Sequence, residues 1–215
     1  MPRIGMEPLR RKALVDATLR AIGQHGSLDV TMSDIAREAG VSPALAHHYF
    51  GSKQQLLIEA IRSLLRRLRM DAAAALEHID APRDRLSAII RVSFQTDQFT
   101  RETIAAWLAF YVEAQRSADV RRLLVIYTKR LRSNLLDSLN RLCPPDDAAR
   151  IAEGVAAMID GLYIRQSLQS VSAGSSASIA LTEDYLGLQL QPFLKESAVL
   201  SPEMSRTNAA ENDHA

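Results

Sequence analysis

The residues whose types and spacing best support chemistry lie between Thr31 and Lys53, in the run TMSDIAREAGVSPALAHHYFGSK, and the chemistry is contact with nucleic acid. Ser42 followed by Pro43 opens a short helix: a hydroxyl N-cap, then proline at the first position, where its missing N–H costs nothing. At 100° per residue, Ala46 and Phe50 point one way, while Ala44, Leu45, His47 and His48 point the other. That outward set contains no acid, which suits a helix laid into a major groove beside phosphates. Ser52 and Gln55 then form a capping box that opens a longer helix, with Lys53 in its first turn. The helix dipole disfavours a cation there, and a phosphate partner would explain it.

These side chains need a frame. Thr31 and Asp34 have the spacing of an N-terminal cap, which predicts a helix over Met32 to Ala39 with Ile35, Ala36 and Ala39 on its inner face. Gly40 supplies a permissive backbone just past the helix end, and Val41 plugs the turn. Taken by spacing alone, such a pair of helices serves equally well as a DNA-reading unit or as a helical hairpin inside a bundle. Charge distribution favours the first. The net charge is only +1, yet residues 1–69 carry +5 and the remainder −4, a basic head on a mildly acidic body.

Apolar residues at helical spacing predict a preceding helix from Glu7 to Gln24 and a long helix from Ser52 to about Leu76. Further helices are expected at about Arg83 to Gln98, Glu102 to Arg116, Asp119 to Leu142, Asp146 to Leu168 and Ile179 to Phe193. Breaks fall at Pro82, Thr100, Ser117, Pro144–Pro145 and Ser172 to Ser178. No alternating strand pattern stands out, so the expected fold is all-α: a three-helix helix-turn-helix head (1–52), joined by a long helix to a helical effector-binding and dimerisation body (53–194). Residues 195–215 are polar without periodicity, and a disordered tail is expected.

Several classes are excluded or disfavoured. The chain has one cysteine, Cys143, so no intrachain disulfide forms, and a reducing compartment is expected. No apolar run approaches membrane-spanning length and the opening residues lack the apolar core of a secretion signal, so a cytoplasmic protein without a membrane partner is expected. No nucleophile motif or Gly-rich phosphate loop occurs, and no catalytic residue or cofactor is assigned. His47 and His48, as neighbours on a helix, diverge by 100° and have no companion acid or cysteine, so no metal site is assigned either.

The head resembles the TetR family of bacterial repressors at Thr31, Ile35, Ala36, Ala39, Gly40, Val41, Ser42, Tyr49, Phe50, Lys53 and Leu56. The resemblance implies that Thr31, Ser42, Tyr49 and Lys53 hold phosphates of double-stranded operator DNA. It also implies that Pro43, Ala44, Leu45, His47 and His48 lie on the DNA side, the last four apart from Pro43 being nearest the base edges. The segments MPRIGME, RRKALVDATLRAI, HYF, AWLAF and IDGLYIR are similar, more narrowly, to the choline-responsive members of that family, which regulate glycine betaine synthesis. The recognition helix PALAHH departs from them, which leaves the operator sequence open.

That narrower resemblance implies a choline effector, a quaternary ammonium ordinarily held by aromatic faces and a carboxylate. Trp107 and Tyr111 lie four apart on one helix with Phe110 adjacent, and Asp160 and Tyr163 three apart on another. Glu113 and Tyr127 are weaker candidates. The competing reading makes Trp107 and Phe110 ordinary core, and places Asp160 and Tyr163 on a homodimer interface formed by the last two helices, where Gly154 and Gly161 would permit close approach. Two other functions stay open: a repressor answering a drug, lipid or different amine, and a helical scaffold or enzyme that does not bind DNA.

Overall fold

The computed structural model describes residues 6–95, 99–168 and 174–200. Among them it is all-α, in the order α1 (Met6–His25), α2 (Met32–Glu38), α3 (Pro43–Phe50), α4 (Lys53–Leu76), α5 (Pro82–Ser93), α6 (Arg101–Glu113), α7 (Ala118–Leu139), α8 (Pro145–Ser167) and α9 (Gly174–Leu200). Local chemistry fixes most of the starts. Thr31, Ser42, Ser52, Thr100 and Ser117 each accept an amide of the helix they precede, while α5 and α8 begin on Pro82 and Pro145, pre-set for a first helical turn. Gly26, Gly40 and Gly51 close turns with φ of 66–73°, a region in which a side chain would clash with its own backbone.

The head packs as its apolar spacing dictates. Leu14, Ala17, Ala21 and Ile22 of α1 are buried against Ile35 and Ala36 of α2 and Ala46 and Phe50 of α3. The same buried cluster continues through Leu56, Ile61 and Leu64 of α4 into Ala106 and Phe110 of α6 and Val120 of α7. Head and body therefore share a core across their junction. There α1 crosses α6 so closely that a Cβ added at Gly23 would lie 2.6 Å from the backbone of Glu102. A second cluster, with Leu86, Ile90, Phe94, Leu135, Leu139, Ile151 and Val155, holds α5, α7, α8 and α9 together.

Some boundaries differ from the sequence expectation. Helix α5 stops at Ser93 rather than Gln98, because Phe94 leaves helical geometry to bury its ring; residues 96–98 lie outside the described part. The body helices expected to end at Arg116 and Leu142 end at Glu113 and Leu139, their last turns tightening into shorter-range backbone bonds. Helix α9 takes in residues 174–178 of the small-residue run expected as a break, and extends to Leu200. Serine and glycine have weak helix preference, but Ser178 and Thr182 are buried and Thr182 donates to the Ser178 carbonyl, so packing outweighs propensity. The tail expected as disordered from residue 195 is corrected in its first six residues, 195–200, which continue α9; from residue 201 on it lies outside the described residues.

Candidate functional site

The first candidate surface is the exposed side of α3. Ala46 and Phe50 are buried, whereas Ser42, Pro43, Ala44, His47 and His48 are exposed and Leu45 and Tyr49 half-exposed. Ser42 Oγ accepts the Leu45 amide at 3.2 Å, which leaves the hydroxyl proton free to donate to a phosphate. His47 Nδ1 lies 3.2 Å from the Gly51 carbonyl oxygen. A carbonyl only accepts, so Nδ1 carries the proton, and in the neutral ring Nε2 is left outward as an acceptor. His48 and Tyr49 rings lie 5.5 Å apart and roof the same face.

Two expected phosphate ligands are already engaged within the chain. Thr31 Oγ1 accepts the Asp34 amide and donates its proton to Asp34 Oδ2 at 2.6 Å, and the Thr31 amide reaches the same carboxylate. The capping box is therefore complete, and those bonds hold the Asp34 carboxyl below its ordinary pKa. Lys53 Nζ donates to the Leu28 carbonyl at 3.2 Å. A phosphate is thus not needed to explain a cation in the first turn of α4: the Leu28 carbonyl holds it at the edge of the head.

One positioning contact was not legible in sequence. Arg11 of α1 donates to the Tyr49 carbonyl at 2.7 Å and stands 4.7 Å over the Phe50 ring. It closes the C-terminal end of α3, where a cation complements the helix dipole, and pins the helix to α1. Only its helical spacing to Glu7 could be read beforehand.

The second candidate site is a cavity of about 310 Å³ in the body. Trp107 and Tyr111 of α6, Tyr127 of α7 and Asp160 and Tyr163 of α8 line it, with Leu68 of α4 and Ser93 of α5 closing the sides. The Trp107 ring lies 5.1 Å from that of Tyr127 and 6.4 Å from that of Tyr111, so three rings form one wall. Tyr111 donates its hydroxyl to Asp160 Oδ1 at 3.1 Å, and Tyr163 donates to the Ser93 carbonyl at 2.6 Å. Tyr163 is braced besides by Phe99 and Phe94, with ring centroids at 5.0 and 6.0 Å.

Burial raises the Asp160 carboxyl above its ordinary pKa, and the Tyr111 hydroxyl works against that rise. Burial and the nearby Asp160 push the Tyr111 and Tyr127 phenols upward, so both rings stay neutral. The result is a box of uncharged aromatic faces with one half-buried carboxylate. It attracts a compact cation that makes no hydrogen bonds of its own.

The structure thus gathers Trp107, Tyr111, Asp160 and Tyr163 from the sequence expectation, together with Tyr127, one of its two weaker candidates. Phe110 is corrected to core: it is fully buried in the cluster shared with the head, because it points 100° away from Tyr111 around α6. Glu113 does not line the cavity. Asp160 and Tyr163, which the competing reading placed on a dimer surface, both line the cavity in the single chain. Gly154 is also reassigned: a Cβ there would meet the Tyr185 hydroxyl at 1.9 Å, so it serves the α8–α9 crossing within the chain, whereas Gly161 faces open space. Among the described residues no group of three or more His, Cys, Asp and Glu side chains is arranged to hold a metal, and no helix is long and apolar enough to cross a membrane.

A helix-turn-helix head sharing its core with a helical body that carries an aromatic-lined cavity is the architecture of a DNA-binding regulator. Residues 14–60 match the family of bacterial regulatory proteins of the tetR type, and residues 82–191 match the C-terminal domain of BetI-type transcriptional repressors. Relatives named HTH-type transcriptional regulator BetI include one from Agrobacterium fabrum, 75% identical over 90% of this chain and 94% of its own length. Another, from Rhizobium meliloti, is 70% identical over 89% and 94%. Among solved structures, a transcriptional regulator from Saccharomonospora viridis in complex with choline superposes with a TM-score of 0.73 at 23% identity, covering 84% of this chain and 96% of that one. The chain belongs to the TetR family, in its BetI-type branch. It is a DNA-binding transcriptional repressor rather than an enzyme.

Proposed function

We propose that this repressor binds its operator as a homodimer in the cytoplasm, silences genes that convert choline to glycine betaine, and leaves the DNA when choline fills the body cavity. The observation that carries the reading is the convergence of four aromatic rings, Trp107, Tyr111, Tyr127 and Tyr163, with the Asp160 carboxylate around one cavity of about 310 Å³. A trimethylammonium group is satisfied by ring faces and one opposite charge, without a directed hydrogen bond. The volume lies at the bottom of the usual small-molecule range of about 300–1,000 Å³, which favours a small amine over a multi-ring drug or a long lipid.

On the DNA side, Ser42, Tyr49, Lys53 and Thr31 approach phosphates, with Lys53 free to exchange its exposed-edge carbonyl for one; Thr31 contributes only by giving up its bond to Asp34. His47, His48, Leu45 and Ala44 face base edges, and Pro43 sets the start of the helix. Dimerisation uses the outer stripe of α8, with Gly161, Ile164 and Leu168, and that of α9, with Leu181 and Leu188, all left open or exposed in the single chain. Two such heads read an imperfect palindrome whose half-sites lie about one helical turn, roughly 34–36 Å, apart.

The switch requires that choline bind the DNA-free form more tightly than the bound form, and operator DNA must weaken choline binding by the same factor. Measuring operator release by fluorescence anisotropy against choline, betaine aldehyde, glycine betaine and larger amines tests it. Release by choline at a lower concentration than by any larger amine is expected. Release only by bulky hydrophobic cations would overturn the effector assignment, and equal affinity for operator and scrambled duplex would overturn the DNA reading.

A further inference from the structure

Beside the aromatic cavity lies a second one, of about 290 Å³, enclosed by α4, α5 and α7. The two share Leu68, Ser93 and Tyr127 as a common partition. Their chemistry is opposite. The first holds a carboxylate among aromatic faces. The second is lined by aliphatic side chains such as Leu65, Ile89 and Leu131, and, besides the shared Ser93 and Tyr127, its polar residues are Arg69, Arg130 and Asn134. No acid lines it, and among the described residues neither arginine stands within salt-bridge distance of a carboxylate. Their helical neighbours explain this: Leu65, Ala72 and Ala73 flank Arg69 along α4, and Ile126, Tyr127 and Asn134 flank Arg130 along α7.

We propose that this cavity is a second small-molecule site, for a short aliphatic carboxylate whose chain lies among Leu65, Ile89 and Leu131 and whose head group is met by Arg69, Arg130 and Asn134. Guanidiniums only donate, a primary amide donates through its NH2, and a planar carboxylate matches the guanidinium fork. The cavity is too small for a long-chain lipid and has no aromatic cage of its own, apart from the shared Tyr127, for a quaternary ammonium. Because Tyr127 and Leu68 face both cavities, an occupant of the second bears on the wall of the first. The two ligands are therefore coupled, and the anion alters the apparent affinity for choline.

The test is isothermal titration calorimetry of the full chain with hexanoate, alongside hexanol and hexylamine of equal length. Saturable hexanoate binding is expected, weakened at least tenfold by Arg69→Gln or Arg130→Gln and unchanged in Arg122→Gln, which removes an exposed guanidinium of α7 that lines neither cavity. All three arginines are exposed, so these variants fold, and unchanged far-ultraviolet circular dichroism checks that. The proposal is overturned if hexanoate does not bind, if hexanol binds as well, if Arg69→Gln and Arg130→Gln bind as the parent does, if Arg122→Gln weakens binding as much as they do, or if Asp160→Asn, which removes the anion of the aromatic cavity, tightens hexanoate at least tenfold, which would put it in that cavity. A choline affinity that does not change at saturating hexanoate would overturn the coupling. The coupling rests on the proposed choline site; the hexanoate outcomes do not depend on it.

Discussion

Replacing Trp107 by leucine removes an aromatic face while keeping an apolar side chain in the wall. Trp107 is only 5% exposed, so a cation against it is largely desolvated, the condition in which a cation–π contact contributes about 2 kcal/mol. At about 1.4 kcal/mol per decade, that loss weakens choline roughly 30-fold. The substitution also breaks ring contacts with Tyr111 and Tyr127, each contributing about 0.5–1.5 kcal/mol to stability. The folded state falls by a few kcal/mol at most, within the usual margin of about 5–15 kcal/mol, so the variant remains folded at 25 °C. Operator affinity stays near that of the parent, because Trp107 touches none of the α3 face. Trp107→Phe, which restores a ring, recovers most of the choline affinity. The measurements are calorimetric choline titration and operator release by anisotropy, each on all three proteins. If Trp107→Leu releases DNA at the parent's choline concentration, or if Trp107→Phe is as defective as Trp107→Leu, Trp107 is core and the cation is held elsewhere.

Asp160 gives a pH-dependent prediction. Burial raises its pKa, so the fold disfavours the ionised form, and the unliganded protein loses stability as pH rises through that raised value. Asp160→Asn removes this penalty: its Tm at pH 7.5 should equal or exceed the parent's, with the gap closing as pH falls through the Asp160 pKa, while choline affinity drops at least tenfold at neutral pH. The parent's own choline affinity should fall on acidification, starting at a higher pH than an exposed aspartate would give; a profile that stays flat down to the pH at which an exposed aspartate titrates argues against a carboxylate contact. Lys53→Ala should weaken binding to every duplex and lower the salt slope by about one unit, whereas an unchanged slope assigns Lys53 to the Leu28 carbonyl alone. His47→Ala should cost roughly 1–3 kcal/mol on the operator and relax preference at particular base pairs, read by a single-substitution operator series; a uniform loss across sequences would contradict a base-edge contact. Gly154→Ala should lower stability by about 1–3 kcal/mol by driving a methyl into Tyr185, whereas Gly161→Ala leaves the single chain's packing undisturbed, as urea unfolding would show.

The helices and their caps were legible because they depend on neighbours in sequence. Thr31 with Asp34, Ser42 with the Leu45 amide and Ser52 with the Gln55 amide each act over three residues; the first is a full capping box, whereas the box expected at Ser52 and Gln55 is only half closed, because the Ser52 amide turns to the Phe50 carbonyl. The inward turn of Ala46 and Phe50, and hence the exposed set on α3, follows from helical periodicity alone. The same reasoning reached Trp107 with Tyr111 and Asp160 with Tyr163, since each pair shares a helix face. It could not join the two pairs, because that depends on how α6 and α8 cross.

Only packing between distant segments decided the remainder. Tyr127 enters the cavity because α7 presents it to Trp107, and Phe110 leaves it because α1 packs on the side of α6 that Phe110 occupies. Arg11 reaches the Tyr49 carbonyl across 38 residues and Lys53 reaches that of Leu28 across 25, and no local pattern encodes either partner. Gly154 has the same residue type as Gly161, yet one accommodates Tyr185 while the other faces open space. Sequence spacing sets which face of a helix a side chain occupies, because the backbone repeat is fixed. What that face meets depends on the free energy of burying it against another element, a quantity that exists only once the chain has folded.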